Sequence, residues 1–384
     1  MIKKIGLAVI ILAVLTGCTP TAEEANPDEP QTSVISGNKG DYSIISPFVT
    51  SPLRTTYAQG FRETDVLEIG RRLQDKSKEY FAPSSYFVSE GSVLDETRYN
   101  ELTRRRSDSN PFGLNPASEG EPLVDQIYDE KGEVTGEVTI PKPYFVSDIT
   151  ELTFHKDKNR KEVDGVSFAL VLDRYQVLDN GSYHYLSDDT FYRLANDYIA
   201  VQFEAYLRNR VPGLEETPIM IAFYVQDSAA DMGNIVDNAP GKFVPGHYIA
   251  HGYYKDQRES GTLTRDNEQW LLLNSTEAST QLPQSYGNFS VFKRKIANYF
   301  GDENIGVIGM AFVVDGKIQQ YQIEVNTGSK TQLELYGITQ YLSSIVTELD
   351  SSDVPITVNV KLYQNTRAVI NYTPGQTPVT TFVY

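Results

Sequence analysis

Val166-Ser167-Phe168-Ala169-Leu170-Val171-Leu172-Asp173 is an apolar run of strand length. The segments downstream of it set the fold. Asn180-Gly181 is a hairpin-turn dipeptide. A helix then fits about Asp189–Arg210, capped by Ser187 or Asp188, with Leu194, Tyr198, Val201, Ala205 and Arg208 along one face. Pro218–Phe223 and Gly246–Tyr254 read as further strands. The order recurs downstream. Gly309–Val314 is a strand run, Asp315-Gly316 is a hairpin turn, and Tyr321–Val325 returns. A helix spans about Lys330–Leu349, with Leu333, Tyr336, Tyr341, Ile345 and Leu349 roughly in period. Pro355–Val360 and Ala368–Tyr372 close the set. Each Pro-Ile pair, at 218 and 355, opens a strand after a long helix, where proline forfeits no ladder donor. The reading is α+β: largely antiparallel sheets covered by helices on one face, with an internal duplication of a strand–hairpin–helix–strand unit. Gln269–Leu273 and a short helix near Tyr286–Phe300 join the copies.

Upstream, a helix fits Asp65–Tyr80, with Thr64 as cap and Val66, Ile69, Leu73 and Tyr80 on one face. A shorter one fits Asp95–Arg106. Residues 103–116 (TRRRSDSNPFGLNP) carry two Asn-Pro pairs and a Phe-Gly, the chemistry of an ordered loop. Residues 19–41 are rich in Pro, Glu, Asp, Ser and Thr, without apolar period. Five regions result: a lipoprotein signal peptide at 1–17, a disordered tether at 18–43, an N-terminal α+β region at 44–145, and α+β repeats at 146–280 and 281–384.

The N-terminus sets the compartment. Lys3 and Lys4 precede an apolar stretch from Ile5 to Leu15, and Leu15-Thr16-Gly17-Cys18 completes the segment. The stretch is shorter than the about 20 residues that span a bilayer as a helix. Leu15, Thr16 and Gly17 before Cys18 form a lipobox, so signal peptidase II is expected to cut before Cys18. The acylation machinery would load the thiol with palmitate-type chains. The product is a protein anchored by lipid on the extracytoplasmic face of the cell membrane.

The chain has 384 residues, 34 Lys+Arg against 51 Asp+Glu, and a net charge of −17. Cleavage removes two lysines and no acid, which takes it to −19. Such acidity argues against nucleic acid as a partner and implies repulsion from anionic lipid headgroups. Cys18 is the one cysteine, so acylation leaves no thiol for disulfides, redox chemistry or metal. Tyrosine is abundant, 25 against 17 Phe and one Trp, which suits pleated surfaces.

Catalytic motifs are missing, and no cofactor or metal is expected. His247 and His251 read as strand residues on one face, ~13 Å apart, too far for one metal. Asp173, Asp227 and Asp231 are acids that pairing strands could bring together, but their spacing singles out no acid and base. Arg104, Arg105 and Arg106 are candidate contacts for phosphate or a cell-wall polyanion, or cations stabilising a helix C-terminus. Tyr253, Tyr254, Tyr321, Tyr363 and Tyr372 line a binding face or pack a helix–sheet seam.

Three features carry a resemblance. Ala8-Val9-Ile10-Ile11-Leu12-Ala13-Val14 is similar to an Ala-Ile-Phe-Ile-Leu-Ala-small heptapeptide. The loop Arg105-Arg106-Ser107-Asp108-Ser109-Asn110-Pro111 through Gly113-Leu114-Asn115-Pro116 and the two-part body are the others. On these the chain resembles the CamS-like sex-pheromone precursor lipoproteins of Gram-positive bacteria. The resemblance implies a released leader trimmed to a short apolar pheromone, with Leu15-Thr16-Gly17 requiring one further trimming step. It also implies a mature surface lipoprotein, expected to be a non-enzymatic binding module of unknown ligand. The alternatives are a solute-binding lipoprotein of a transporter, marked by a large interlobe pocket, and a cell-wall enzyme, marked by buried carboxylates of raised pKa in a cleft.

Overall fold

The computed structural model describes residues 33–48, 51, 63–129, 133–226, 245–256, 261–301, 305–349 and 354–383. In chain order, the first part runs through β1 (Ser33–Ile35), β2 (Ser43–Ser46), α1 (Glu63–Ser77), β3 (Phe87–Glu90) and α2 (Glu96–Thr103). The β4–β5 hairpin (Leu123–Tyr128, Val134–Ile140) and the long strands β6 (Val146–His155) and β7 (Gly165–Asp173) come next. A small hairpin, β8–β9 (Tyr175–Val177, Tyr183–Tyr185), leads into α3 (Asp188–Leu194), a π-turn (Ala195–Ile199) and α4 (Ala200–Arg210). Then come β10 (Ile219–Gln226), β11 (His247–Tyr254) and β12 (Thr264–Arg265). Eight of these strands form one sheet in the order β1-β2-β3-β6-β7-β10-β11-β12.

The second part contains β13 (Glu268–Leu272), α5 (Thr276–Gln281), α6 (Pro283–Phe300), β14 (Gly306–Val314) and β15 (Lys317–Asn326). It ends with α7 (Gln332–Ile345), β16 (Ile356–Leu362), β17 (Asn365–Tyr372) and β18 (Val379–Phe382). Its six strands pair in sequence order. Neighbours are antiparallel except β2–β3, β7–β10 and β15–β16. The last two parallel pairs are each spanned by a long helix. The chain is therefore α+β and largely antiparallel. The quartets β6-β7-β10-β11 and β14-β15-β16-β17 share order and sense. That is common architecture, which simple connection rules also produce, and it does not establish a duplication.

The unbroken apolar run of β7 has a direct cause: its sheet is covered on both faces. Val166, Phe168, Leu170 and Leu172 join the core under α2, α3 and α4. Ala169 and Val171 join a second core under α1. On the second sheet α6 and α7 pack on one face, and on the other Trp270 and Phe312 are buried beside α1. At the mouth of β7, Gly165 lies against the Phe81 ring, and a Cβ there would sit 2.2 Å from its Cε1.

Three boundaries differ from expectation. Ser33–Ile35, placed in the tether, pairs with β2, and Tyr42 is buried with its hydroxyl donating to the Phe81 carbonyl. β1–β3 belong to the same sheet as β6 and β7, so 44–145 is no separate layer. Gln269–Leu273, read as a connector, falls on the edge strand Glu268–Leu272 paired to β14, so the second sheet starts at Glu268 rather than after 280.

Helix faces differ as well. Ser187 caps α3 by accepting from the Thr190 amide. Of the predicted stripe Arg208 is buried, Leu194 and Tyr198 pack at the core margin, and Val201 and Ala205 are exposed, while Phe191, Ala195, Ile199, Phe203 and Leu207 form the buried stripe. That spacing of four is wider than 3.6, and the π-turn absorbs the difference. In α7, Thr331 and Glu334 form a capping box. Leu335, Ile338, Leu342 and Ile345 face the core, while Leu333 and Tyr336 face out.

Candidate functional site

The loop between α2 and the β4–β5 hairpin is held from below by one side chain. Asn115 is fully buried. Its Nδ2 donates to the carbonyls of Thr103 (2.6 Å) and Val146 (2.9 Å). Its Oδ1 accepts from the amides of Phe145 (2.7 Å) and Val146 (2.8 Å). All four hydrogen-bonding positions of the amide are thus used, welding the end of α2 to the start of β6. Gly113 makes the turn possible, because a Cβ there would lie 2.5 Å from the Arg104 carbonyl oxygen and 2.6 Å from the Arg106 amide. Asn110 ties the tip back by donating to the Glu101 carbonyl.

The three arginines part company on this frame. Arg105 donates to the carbonyls of Pro116 (3.1 Å), Pro143 (2.7 Å) and Lys142 (2.9 Å) and lies over Tyr144. Arg106 lies over Tyr198. Only Arg104 is exposed with no side-chain partner among the described residues. A three-arginine anion clamp therefore does not form, since two guanidiniums are spent on the fold. Arg104 lines a cavity of about 490 Å³ with Glu96, Asn100, Glu101, Ser107 and Asn110. A second hollow of about 420 Å³, with Arg98, Tyr206, Asn209 and Arg210, lies on the other side of Glu101. Tyr206 donates to the Glu101 carboxylate (2.6 Å), and burial together with that charge pushes its hydroxyl well above the ordinary range.

A different charged network joins the two sheets. Lys76 of α1 contacts Glu268 (2.6 Å) and Asp266 (2.9 Å). Arg72 pairs with Glu268 and lies over Phe312, and Trp270 donates to Glu68 (3.3 Å). Beside it is a cavity of about 230 Å³ whose walls include Asp188, Tyr192, Arg265 and Asp266. That is smaller than the ~300–1,000 Å³ typical of small-molecule pockets, so the transporter reading gains no support. Asp188 is bound by Arg174 and by His247 Nε2 (3.0 Å). Burial alone would raise its carboxyl, but His247 and Arg174 outweigh this and hold it well below the usual range. Asp266 is likewise lowered, with burial opposed by His251 and Lys76. The sequence does not announce this network, because its partners are far apart along the chain and only the Ser187-Asp188 helix start is visible there.

The two histidines are neither surface groups nor on one face. Both are buried. The β10–β11 register slips at Phe223/Tyr224, leaving Ile249 as an extra residue. Such a bulge reverses the alternation beyond it. His247 meets Asp188 at the start of α3, and His251 meets Asp266 (3.0 Å) beside Tyr80 under α1. Asp173 accepts from the Tyr175 amide (3.1 Å), while Asp227 and Asp231 lie outside the described residues. The buried Glu151 is raised by desolvation, but it accepts from the amides of Ser92, Val93 and Leu94 and so pins a loop. The tyrosines form no single face. Tyr253 stacks on Tyr80, Tyr254 and Tyr321 are buried, Tyr372 packs against the second core, and Tyr363 is exposed. Ala8–Val14, the lipobox and Cys18 lie outside the described residues.

Two sheets clamped through α1, with an Asn-anchored loop on the first, define the class: a two-sheet α+β body. Residues 48–378 match the family described as CamS sex pheromone cAM373 precursor, and the chain belongs to that family. The fold is similar to the crystal structure of a sex pheromone precursor from Lactobacillus salivarius subsp. salivarius UCC118, with TM-score 0.72 and 20% identity over 92% of this chain and 99% of that one. It is also similar to the C-terminal domain of the sex pheromone staph-cAM373 precursor from Staphylococcus aureus, with TM-score 0.61 and 21% identity over 84% and 98%. No curated protein matches the sequence. The family is one of pheromone precursors and is not a known enzyme family. No helix among the described residues is long and apolar enough to cross a membrane.

Proposed function

We propose that this chain is a lipid-anchored surface lipoprotein with two products. The leader yields a short apolar peptide from within Ala8–Gly17, and the α+β body, held by acylated Cys18, is a non-enzymatic binding module. The observation that carries this is a lipobox, Leu15-Thr16-Gly17-Cys18, directly after an apolar leader in a member of a pheromone-precursor family. The hollows beside Glu101, with Arg104 and Arg210 exposed to ligand, are the body's proposed contact surface. Mass spectrometry of culture supernatant tests the peptide half, and an intact lipoprotein with no fragment of Ala8–Gly17 in the medium would refute it. Acyl labelling tests the anchor: wild type should take label and partition to membranes, and Cys18→Ala should do neither.

A further inference from the structure

The acidic body has one corner of opposite character, at the place where the tether enters. Ser33 begins β1 and pairs with Ser46, so the chain arrives beside Pro47 and Phe48. Phe48 is 67% exposed, and Val34, Ile35 and Ile44 are 39%, 48% and 36% exposed. Ile35 and Ile44 are cross-strand partners, so they make one apolar surface at the sheet edge.

The β6–β7 loop is fastened to this corner. Arg160 donates to the carbonyls of Ile45 and Pro47 (2.8 Å to the latter). Residues 156–161 read Lys-Asp-Lys-Asn-Arg-Lys, four cations in six residues of a chain of net charge −17. The nearby acids are Asp157, Glu162 and Asp164. Asp157 accepts from Asn159, and Asp164 accepts from the Lys156 amide and pairs with its ammonium. Lys158 and Lys161 are exposed, with no ionic partner among the described residues.

We propose that this corner docks on an anionic lipid surface. Phe48 and the Ile35–Ile44 pair would sit at the headgroup boundary, with Lys158 and Lys161 against the lipid charge. The inference rests on the anchor at Cys18 proposed above. Fourteen residues, 19–32, then separate lipid from β1, which bounds the distance between them at about 50 Å even for a fully extended chain. A bilayer is the partner that supplies both an apolar boundary and negative charge within that reach. The general repulsion expected of an acidic chain is thereby reversed at one place.

The test uses the acylated full chain in vesicles, with Cys18 blocked by its lipid. Ile35→Cys is labelled with an environment-sensitive dye, and Leu333→Cys, 76% exposed on α7, serves as control. Flotation with vesicles reports the anchor, and dye quenching by neutral acrylamide reports docking, so the two readings fail separately. On phosphatidylglycerol vesicles the dye at position 35 should be blue-shifted and several-fold less quenched than on phosphatidylcholine, since two lysines near an anionic surface, each worth about fivefold, together favour docking by about 25-fold. Adding Lys158→Glu and Lys161→Glu should abolish the difference, Phe48→Ser should reduce it, and position 333 should show none. Floating protein whose dye at position 35 is quenched alike on both vesicles, or unaffected by the lysine changes, overturns the proposal.

Discussion

At the scale of the residue, Asn115 shows how far one side chain sets a surface. Its amide closes four backbone bonds in a dry site, and each group left unpaired there costs about 1–3 kcal/mol. Asn115→Ala should lower unfolding free energy by roughly 3 kcal/mol or more in urea titration, whereas Arg104→Ala, in the same loop but exposed, should stay within about 0.5 kcal/mol. The Asn-Pro chemistry announces an ordered loop from sequence alone. It cannot announce which asparagine faces inward, because Asn110 and Asn115 stand before the same residue and differ only in what the distant β6 offers. Acid stability depends on two other residues. Asp188 and Asp266 have folded pKa values below their unfolded ones. The unfolded chain therefore binds more protons as pH falls through about 4, the unfolded carboxylate range. Their stabilisation is complete above that range and is lost as pH falls towards the folded values. Melting temperature should drop below about pH 4 in wild type, and by less in Asp266→Asn, measured across a pH series.

At the scale of the element, strands are more legible in the sequence than helix faces. A strand buried on both sides is recognised by its unbroken apolar run, whatever lies above or below, and β7 and β10 both declare themselves this way. A helix face depends on phase, and phase is lost at any irregular turn. The π-turn at Ala195–Ile199 is such a turn: Phe191, Phe203 and Leu207 share a core only because an extra residue is accommodated between them. Deleting the exposed Asp197 should restore α-geometry and keep Phe203 and Leu207 in phase with Phe191, at little cost, whereas one alanine inserted after Asp197 should rotate α4 by about 100° and expel both, at a cost above about 4 kcal/mol. Asp197→Ala should be nearly neutral in the same denaturation assay. The stripe of α7 teaches the same lesson: Leu342→Ala should cost about 2–5 kcal/mol and Leu333→Ala little.

At the scale of the whole molecule, the two sheets have separate cores, and α1 decides whether they behave as one body. Nothing in the sequence marks this, because Lys76 and Glu268 are 192 positions apart and their charges look like ordinary solvated ones. In the structure they are among the driest charges of the chain, 9% and 4% exposed. Taking Glu268 away leaves Lys76 with Asp266 and Arg72 with Asp75 as remaining partners, so the loss should approach but not exceed the about 3–5 kcal/mol of a fully broken buried pair, whereas replacing both members of such a pair by apolar groups of similar volume is often neutral. Glu268→Ala should therefore destabilise strongly, and Lys76→Met with Glu268→Leu should recover most of that loss, a coupling that a double-mutant cycle measures directly. The single variant carries a second consequence. With Glu268 gone, α1 keeps its hold on β7 and β10 but is left with Lys76–Asp266 and Trp270–Glu68 as its polar contacts to the second sheet and the segment leading into it. Scanning calorimetry should then change from one transition to two, one for each sheet. A single transition merely shifted to lower temperature would mean that packing of Trp270 and Phe312 against α1, and not the ionic clamp, makes the two sheets cooperate.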